Sequence, residues 1–108
     1  MFAFAAPILP GKVDAWRAWV GELNGPRKGE FDASNARHGL TGHHAWLQAN
    51  PDDSHVVVVV QDGPGAEGYM GSMAQSDDPF DKWFVMGVAE IHGMDLSGPM
   101  PPPPEQVL

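Results

Sequence analysis

The run "HVVVVVQ" at residues 55–61 constrains this chain more than any other stretch. Side chains in a strand alternate between faces, so Val56–Val60 present no polar face to water. An unbroken β-branched run of this kind belongs to a strand buried on both sides. A chain of 108 residues, 43% hydrophobic, suits one modest core and a single domain over 1–108. Its helices can cover only one face of a small sheet. The valine run therefore predicts that a second copy covers the other face, in a homodimer.

The remaining segments arrange themselves around that strand. "FAFAAPIL" reads as a first strand, and Val13, Trp16, Trp19, Val20 and Leu23 follow at helical spacing, closed by Gly25 and Pro26. "RKGEFDASNARHG" holds a second, short helix with weaker periodicity. "LTGHHAWLQA" is the next strand, and "NPDDS" supplies turn chemistry that joins it to the valines as an antiparallel hairpin. Glycine-rich "DGPGAEG" leads into a weak helix carrying Tyr69, Met70 and Met73. In "DDPFDKWFVMGVAEIHG", Asp78 is a natural N-cap, Pro79 takes the first helical position and Gly93 ends the helix. A proline-rich segment, 97–104, cannot be helical, and "EQVL" is expected to begin a fourth strand. The expected fold is α+β, a ferredoxin-like split β-α-β with a four-stranded antiparallel sheet.

Charge narrows the partners. The net charge is −8 and the six Lys/Arg are scattered, so no basic stripe exists to neutralise phosphates. Nucleic acid and anionic membranes are not expected as partners. Cysteine is absent, which removes disulfides, thiolate nucleophiles and zinc–thiolate sites. The opening "MFAFAAPILPG" has no basic flank and is interrupted by Pro7, too short for a secretory signal or a span, so the expected location is cytoplasmic.

On "PILPGKVDAWRAWVGEL", "RHGLTGHHAWLQ" and "SDDPFDKWFVMGVAEIHGMDL", the chain resembles the dimeric α/β-barrel superfamily of ferredoxin-like subunits packed sheet to sheet. That group includes antibiotic-biosynthesis monooxygenases, polyketide cyclases, muconolactone isomerases, haem-degrading enzymes and stress-response proteins. The resemblance implies a pocket between sheet and helices for a small apolar or aromatic molecule, processed without a bound cofactor. Within the nearest bacterial branch, charged residues are commoner where Gly42 and His43 stand here, so the histidine pair is a departure.

Five histidines carry the chemistry worth weighing: His38, His43, His44, His55 and His92. Neighbouring strand residues point to opposite faces, so His43 and His44 cannot readily share one metal ion, and no metal site is expected. His92 ends a helix, where an imidazole favours the dipole and the free carbonyls. It is also the one obvious axial candidate for a haem. Alternation divides the second strand into Leu40, Gly42, His44, Trp46 and Gln48 on one face, and Thr41, His43, Ala45, Leu47 and Ala49 on the other. The first set mixes an aromatic wall with hydrogen-bonding groups, so it is expected to line the pocket, with His44 transferring protons. The second set is expected at the dimer seam, with His43 as a packing residue.

The expected catalytic groups are thus His44 and His92, with Trp46, Gln48, Trp83, Phe84, Tyr69 and Met73 around the ligand. Asp77, Asp78 and Asp81 are explained by helix capping. Ser54, Ser72 and Ser76 lack a nucleophile elbow, which argues against acyl-enzyme chemistry. Two functions of different class remain. One is an enzyme that oxygenates, cyclises or isomerises an aromatic or polyketide-like metabolite; the other is a non-catalytic dimeric protein that binds an apolar ligand.

Overall fold

The structure, a computed structural model, describes residues 1–99 and 102–108. It is α+β, with β1 (Phe2–Pro7), α1 (Val13–Asn24), α2 (Lys28–Arg37), β2 (Gly42–Ala49), β3 (His55–Asp62), α3 (Tyr69–Gln75) and α4 (Pro79–His92). The sheet is antiparallel in the order β1-β3-β2, which puts the valine strand at its centre. Register runs from Phe2↔Gln61 to Pro7↔Val56 on one side and from Gly42↔Asp62 to Ala49↔His55 on the other.

Local chemistry explains the best-formed elements. In the 50–54 turn, Asp53 adopts φ 67° and Asp52 Oδ1 accepts from the amide and hydroxyl of Ser54. Such side-chain bonds to nearby backbone hold tight turns. At α4, Asp78 Oδ1 accepts from the amides of Phe80 and Asp81, Pro79 occupies N1, and Gly93 closes the helix at φ 68°. A left-handed closing residue is what glycine tolerates best.

The helices lie on one face of the sheet. Val57 and Val59 are buried there with Ile8, Trp16 of α1 and Ile91 of α4. A second cluster joins Leu23, Leu40, Tyr69, Met73, Phe80 and Phe84. Burying such side chains contributes about 1.5–3 kcal/mol each. No helix of the described residues is long and apolar enough to cross a membrane.

Two expectations are corrected. Among the described residues the sheet has three strands, and 105–108 are exposed without strand pairing. The prolines before them supply no N–H to a ladder, so they give "EQVL" no paired backbone to extend. Met100 and Pro101, within the proline-rich segment, lie outside the described residues. The two sides of β2 are also exchanged. His43 pairs with Gln61 and shares the helix-covered face with Val57 and Val59, whereas His44 and Trp46 pair with Val60 and Val58 on the open face. Alternation separates the two sets but does not say which one the helices cover. Phe31 and Phe84 pack against the His43 ring on the helix side, and Trp46 is left 57% exposed.

Candidate functional site

A cleft of about 390 Å³ opens between the sheet and the helices. Its floor comes from Phe4, Ala6, Val57, Val59 and Gln61, and its walls from Trp16, Trp19, Val20, Leu23, Phe31, Phe84 and Val88. The helical spacing of Trp16, Trp19, Val20 and Leu23 turns one stripe of α1 onto the floor. No Asp, Glu, Lys or Arg lines it among the described residues. In a chain of net charge −8, such a lining admits a neutral, largely apolar molecule rather than an ion.

Polar groups gather around His43. Its Nδ1 lies 3.1 Å from Asn35 Oδ1 and its Nε2 lies 3.2 Å from Gln61 Nε2. An amide nitrogen donates and a carbonyl oxygen accepts, so the ring is neutral, with its proton on Nδ1. Burial, and then the neighbouring charge of His44, lower its pKa from 6.5 to about 4. Tyr69 meets the same ring edge-on at 5.3 Å. Burial and the charge of Asp81 push the Tyr69 phenol upward, so it remains a proton donor. Gln61 Oε1 and Tyr69 OH are both buried and without a partner among the described residues. Buried polar atoms normally find partners, so two unpaired ones beside a cleft are a functional signal. The third unpaired atom, Trp19 Nε1, faces Gly87, whose missing side chain admits the indole, so it belongs to helix packing.

The residues expected from sequence are dispersed. Phe84 and Tyr69 line the cleft, and His92 lines it too, with Nδ1 donating to the Pro7 carbonyl at 2.9 Å. Burial lowers the His92 pKa, and that backbone bond opposes the shift. His44 and Trp46 reach the cleft only from the edge strand, on residues whose register partners belong to the open face. Gln48 is exposed, with Nε2 donating to Ala49 O. Met73 is sealed in the core beside Ser34, and Trp83 stacks on Trp19 under the Arg27 guanidinium outside the cleft.

A second polar cluster lies behind Tyr69. Asp81, fully buried, accepts from Ser34 Oγ (2.5 Å), Ser76 Oγ (2.6 Å), His38 Nε2 (2.8 Å) and Arg37 Nη2 (3.2 Å). Burial raises its pKa, but the hydrogen bonds of His38, Ser34 and Ser76 outweigh that and hold it at about 2. Asp81 therefore does more than the capping expected of it: it ties α2 to the start of α4. The spacings Ser34/His38 and Ser72/Ser76 put each pair on one helical face, which was the available sequence signal. No group of three or more His, Cys, Asp or Glu among the described residues could hold a metal ion. No protein-family model, curated protein or solved structure matches the chain.

Proposed function

We propose that the protein is a small-molecule enzyme acting on a neutral aromatic or polyketide-like metabolite held in the sheet–helix cleft. The observation that carries this reading is the convergence of His43, Gln61 and Tyr69 on one side of an uncharged cleft, with two of their polar atoms unpaired. His43, rather than His44, is the proton acceptor. An imidazole of pKa about 4 is neutral at physiological pH but a weak base. Every unit of mismatch costs about 1.36 kcal/mol, so it deprotonates only protons that are already acidic, as in phenols and β-dicarbonyls. Rotation of the Gln61 carboxamide frees His43 Nε2, and the Tyr69 hydroxyl donates to the enolate or phenolate oxygen that forms. Such a step begins cyclisation, isomerisation or cofactor-independent oxygenation alike.

The same proposal includes a homodimer of the dimeric α/β-barrel kind. The open sheet face consists of Ala3, Ala5, Pro7, Gly42, His44, Trp46, Gln48, Val56, Val58, Val60 and Asp62. Asp62, at the end of β3 opposite Gly42, is the one Asp, Glu, Lys or Arg that the strand register places on it, although the chain has net charge −8. A largely apolar face with a single carboxylate at one end, on an acidic protein, fits a second copy of itself better than a charged partner.

The alternative is a carrier that sequesters an apolar ligand, favoured by the apolar walls and by the occupation of both His43 ring nitrogens. Benzoylacetone, an aromatic β-diketone, separates the two. Binding is read from tryptophan fluorescence and proton exchange from loss of the α-proton signal in D₂O. Binding with accelerated exchange in the wild type, and binding without acceleration in His43→Leu, supports the enzyme. Binding without acceleration in both proteins makes it a carrier, and no binding in either removes the cleft as the site.

A further inference from the structure

Ser72, His38 and Asp81 form a continuous hydrogen-bonded chain from the surface to the interior. Ser72 Oγ is 2.5 Å from His38 Nδ1, and His38 Nε2 is 2.8 Å from Asp81 Oδ2. Ser72 is exposed, the His38 side chain is 9% exposed and Asp81 is 0% exposed. The directions of these bonds follow from their chemistry. An ionised carboxylate can only accept, so Nε2 of His38 carries the ring proton and Nδ1 presents its lone pair. The Ser72 hydroxyl therefore donates to His38. Two further donors, Ser34 and Ser76, hold the carboxylate in place, so the imidazole is oriented from behind as well as met from in front.

We propose that Ser72 is a nucleophile activated by His38 and that it accepts acyl or phosphoryl groups from small activated esters, a site separate from the sheet–helix cleft. In the first step Ser72 Oγ bonds to the ester carbonyl carbon while its proton passes to His38 Nδ1. The tetrahedral adduct collapses, the carbon–oxygen bond to the alkoxy or phenoxy group breaks, and that group leaves with the proton from His38. Water, deprotonated by the same nitrogen, then attacks the acyl carbon and restores the Ser72 hydroxyl. Asp81 is the positioning residue, fixing the tautomer without touching the ester.

The surroundings set the substrate class. Gly68 and Gly71 stand four residues and one residue before Ser72, and a side chain built on either would meet open space. Ser72 itself is exposed, so solvent-borne molecules reach it. The Ser72 amide is committed to the Gly68 carbonyl at 2.9 Å, so it is not free to stabilise a developing oxyanion. Without that donor an amide, with its poor leaving group, is out of reach, whereas a phenyl ester is not. Close backbone packing fixes His38: a side chain at Gly65 would overlap the His38 carbonyl, and Gly65 N donates to Gly39 O at 3.0 Å.

The protein supplies its own controls. Ser54 and Ser97 are exposed and donate to Asp52 and Asp95 at 2.6 Å, but no histidine contacts either hydroxyl. The whole chain is treated with a fluorophosphonate, and in parallel with p-nitrophenyl acetate, and each serine is followed by peptide mass spectrometry. Ser72 should be modified on the order of a hundredfold faster than Ser54 or Ser97, the lower end of what a positioned general base contributes. His38→Gln should bring Ser72 to the rate of the controls, and His43→Leu should leave it unchanged, which separates this proposal from that for the cleft. For Asp81, the ring-nitrogen NMR signals of His38 should report a proton on Nε2 in the wild type and a mixture of tautomers in Asp81→Asn. Equal labelling of the three serines, a Ser72 rate indifferent to His38→Gln, or a proton on Nδ1 in the wild type would each overturn the proposal.

Discussion

At the scale of the residue, His43 and Asp81 respond to acid in separate windows. The folded pKa of His43, about 4, lies below its ordinary 6.5. As pH falls, the unfolded chain takes up this proton first, so the stability associated with the neutral ring is complete above 6.5 and is lost on the way to 4. The shift corresponds to about 3 kcal/mol. Asp81 is also depressed, from 3.8 to about 2, so its contribution is complete above 3.8 and disappears only below that. Urea unfolding at pH 7 and pH 4.5 should therefore show a large loss in the wild type. In His43→Leu that difference should shrink, because Asp81 does not titrate between those values and the lowered pKa of His92 supplies only the remainder. An unchanged pH dependence in the variant would mean that His43 is as easily protonated in the folded protein as in water.

At the scale of the element, helix α4 and the two sides of β2 mark where sequence reading succeeds and fails. The boundaries of α4 are set by neighbours in the chain, Asp78, Pro79 and Gly93, and all three act as their chemistry requires. The sides of β2 are set by what packs on the sheet, and no neighbour in the chain carries that information. Counting through the 50–54 turn does pair His43 with Gln61. It does not say that α1 and α4 lie on their side. The Asp81 cluster was hidden for the same reason, since it requires α2 beside α4, and only the paired serine and histidine spacings hinted at it. Packing between α1 and α4 rests on another detail, the Trp19 indole lying against Gly87. A methyl group there would overlap the ring, so Gly87→Ala should force the helices apart and destabilise the fold by about 1–3 kcal/mol. Thermal melting would read this as a clear drop, and an unaltered melt would show that the indole moves aside freely.

At the scale of the whole molecule, the open sheet face is where the proposed dimer is tested. Val58 is 38% exposed at its centre and Trp46 is 57% exposed beside it. In an isolated subunit Val58→Asp places a carboxylate in water, at little cost; in the proposed dimer it buries one unpaired, at several kcal/mol. Sedimentation of the wild type should show a dimer at micromolar concentration, and Val58→Asp should sediment as a folded monomer. A wild-type monomer would remove the second copy from the proposal. The strand order β1-β3-β2 carries a further consequence, for the route by which the chain reaches this fold. The β2–β3 hairpin closes over a short turn, but the other edge of β3 must wait for β1, where Phe2 meets Gln61. Closing so long a loop is slow compared with closing a hairpin. During that delay the central valines have one edge unpaired and competent to bind any strand that arrives. What the finished fold encloses at its centre is thus, in transit, its most adhesive edge.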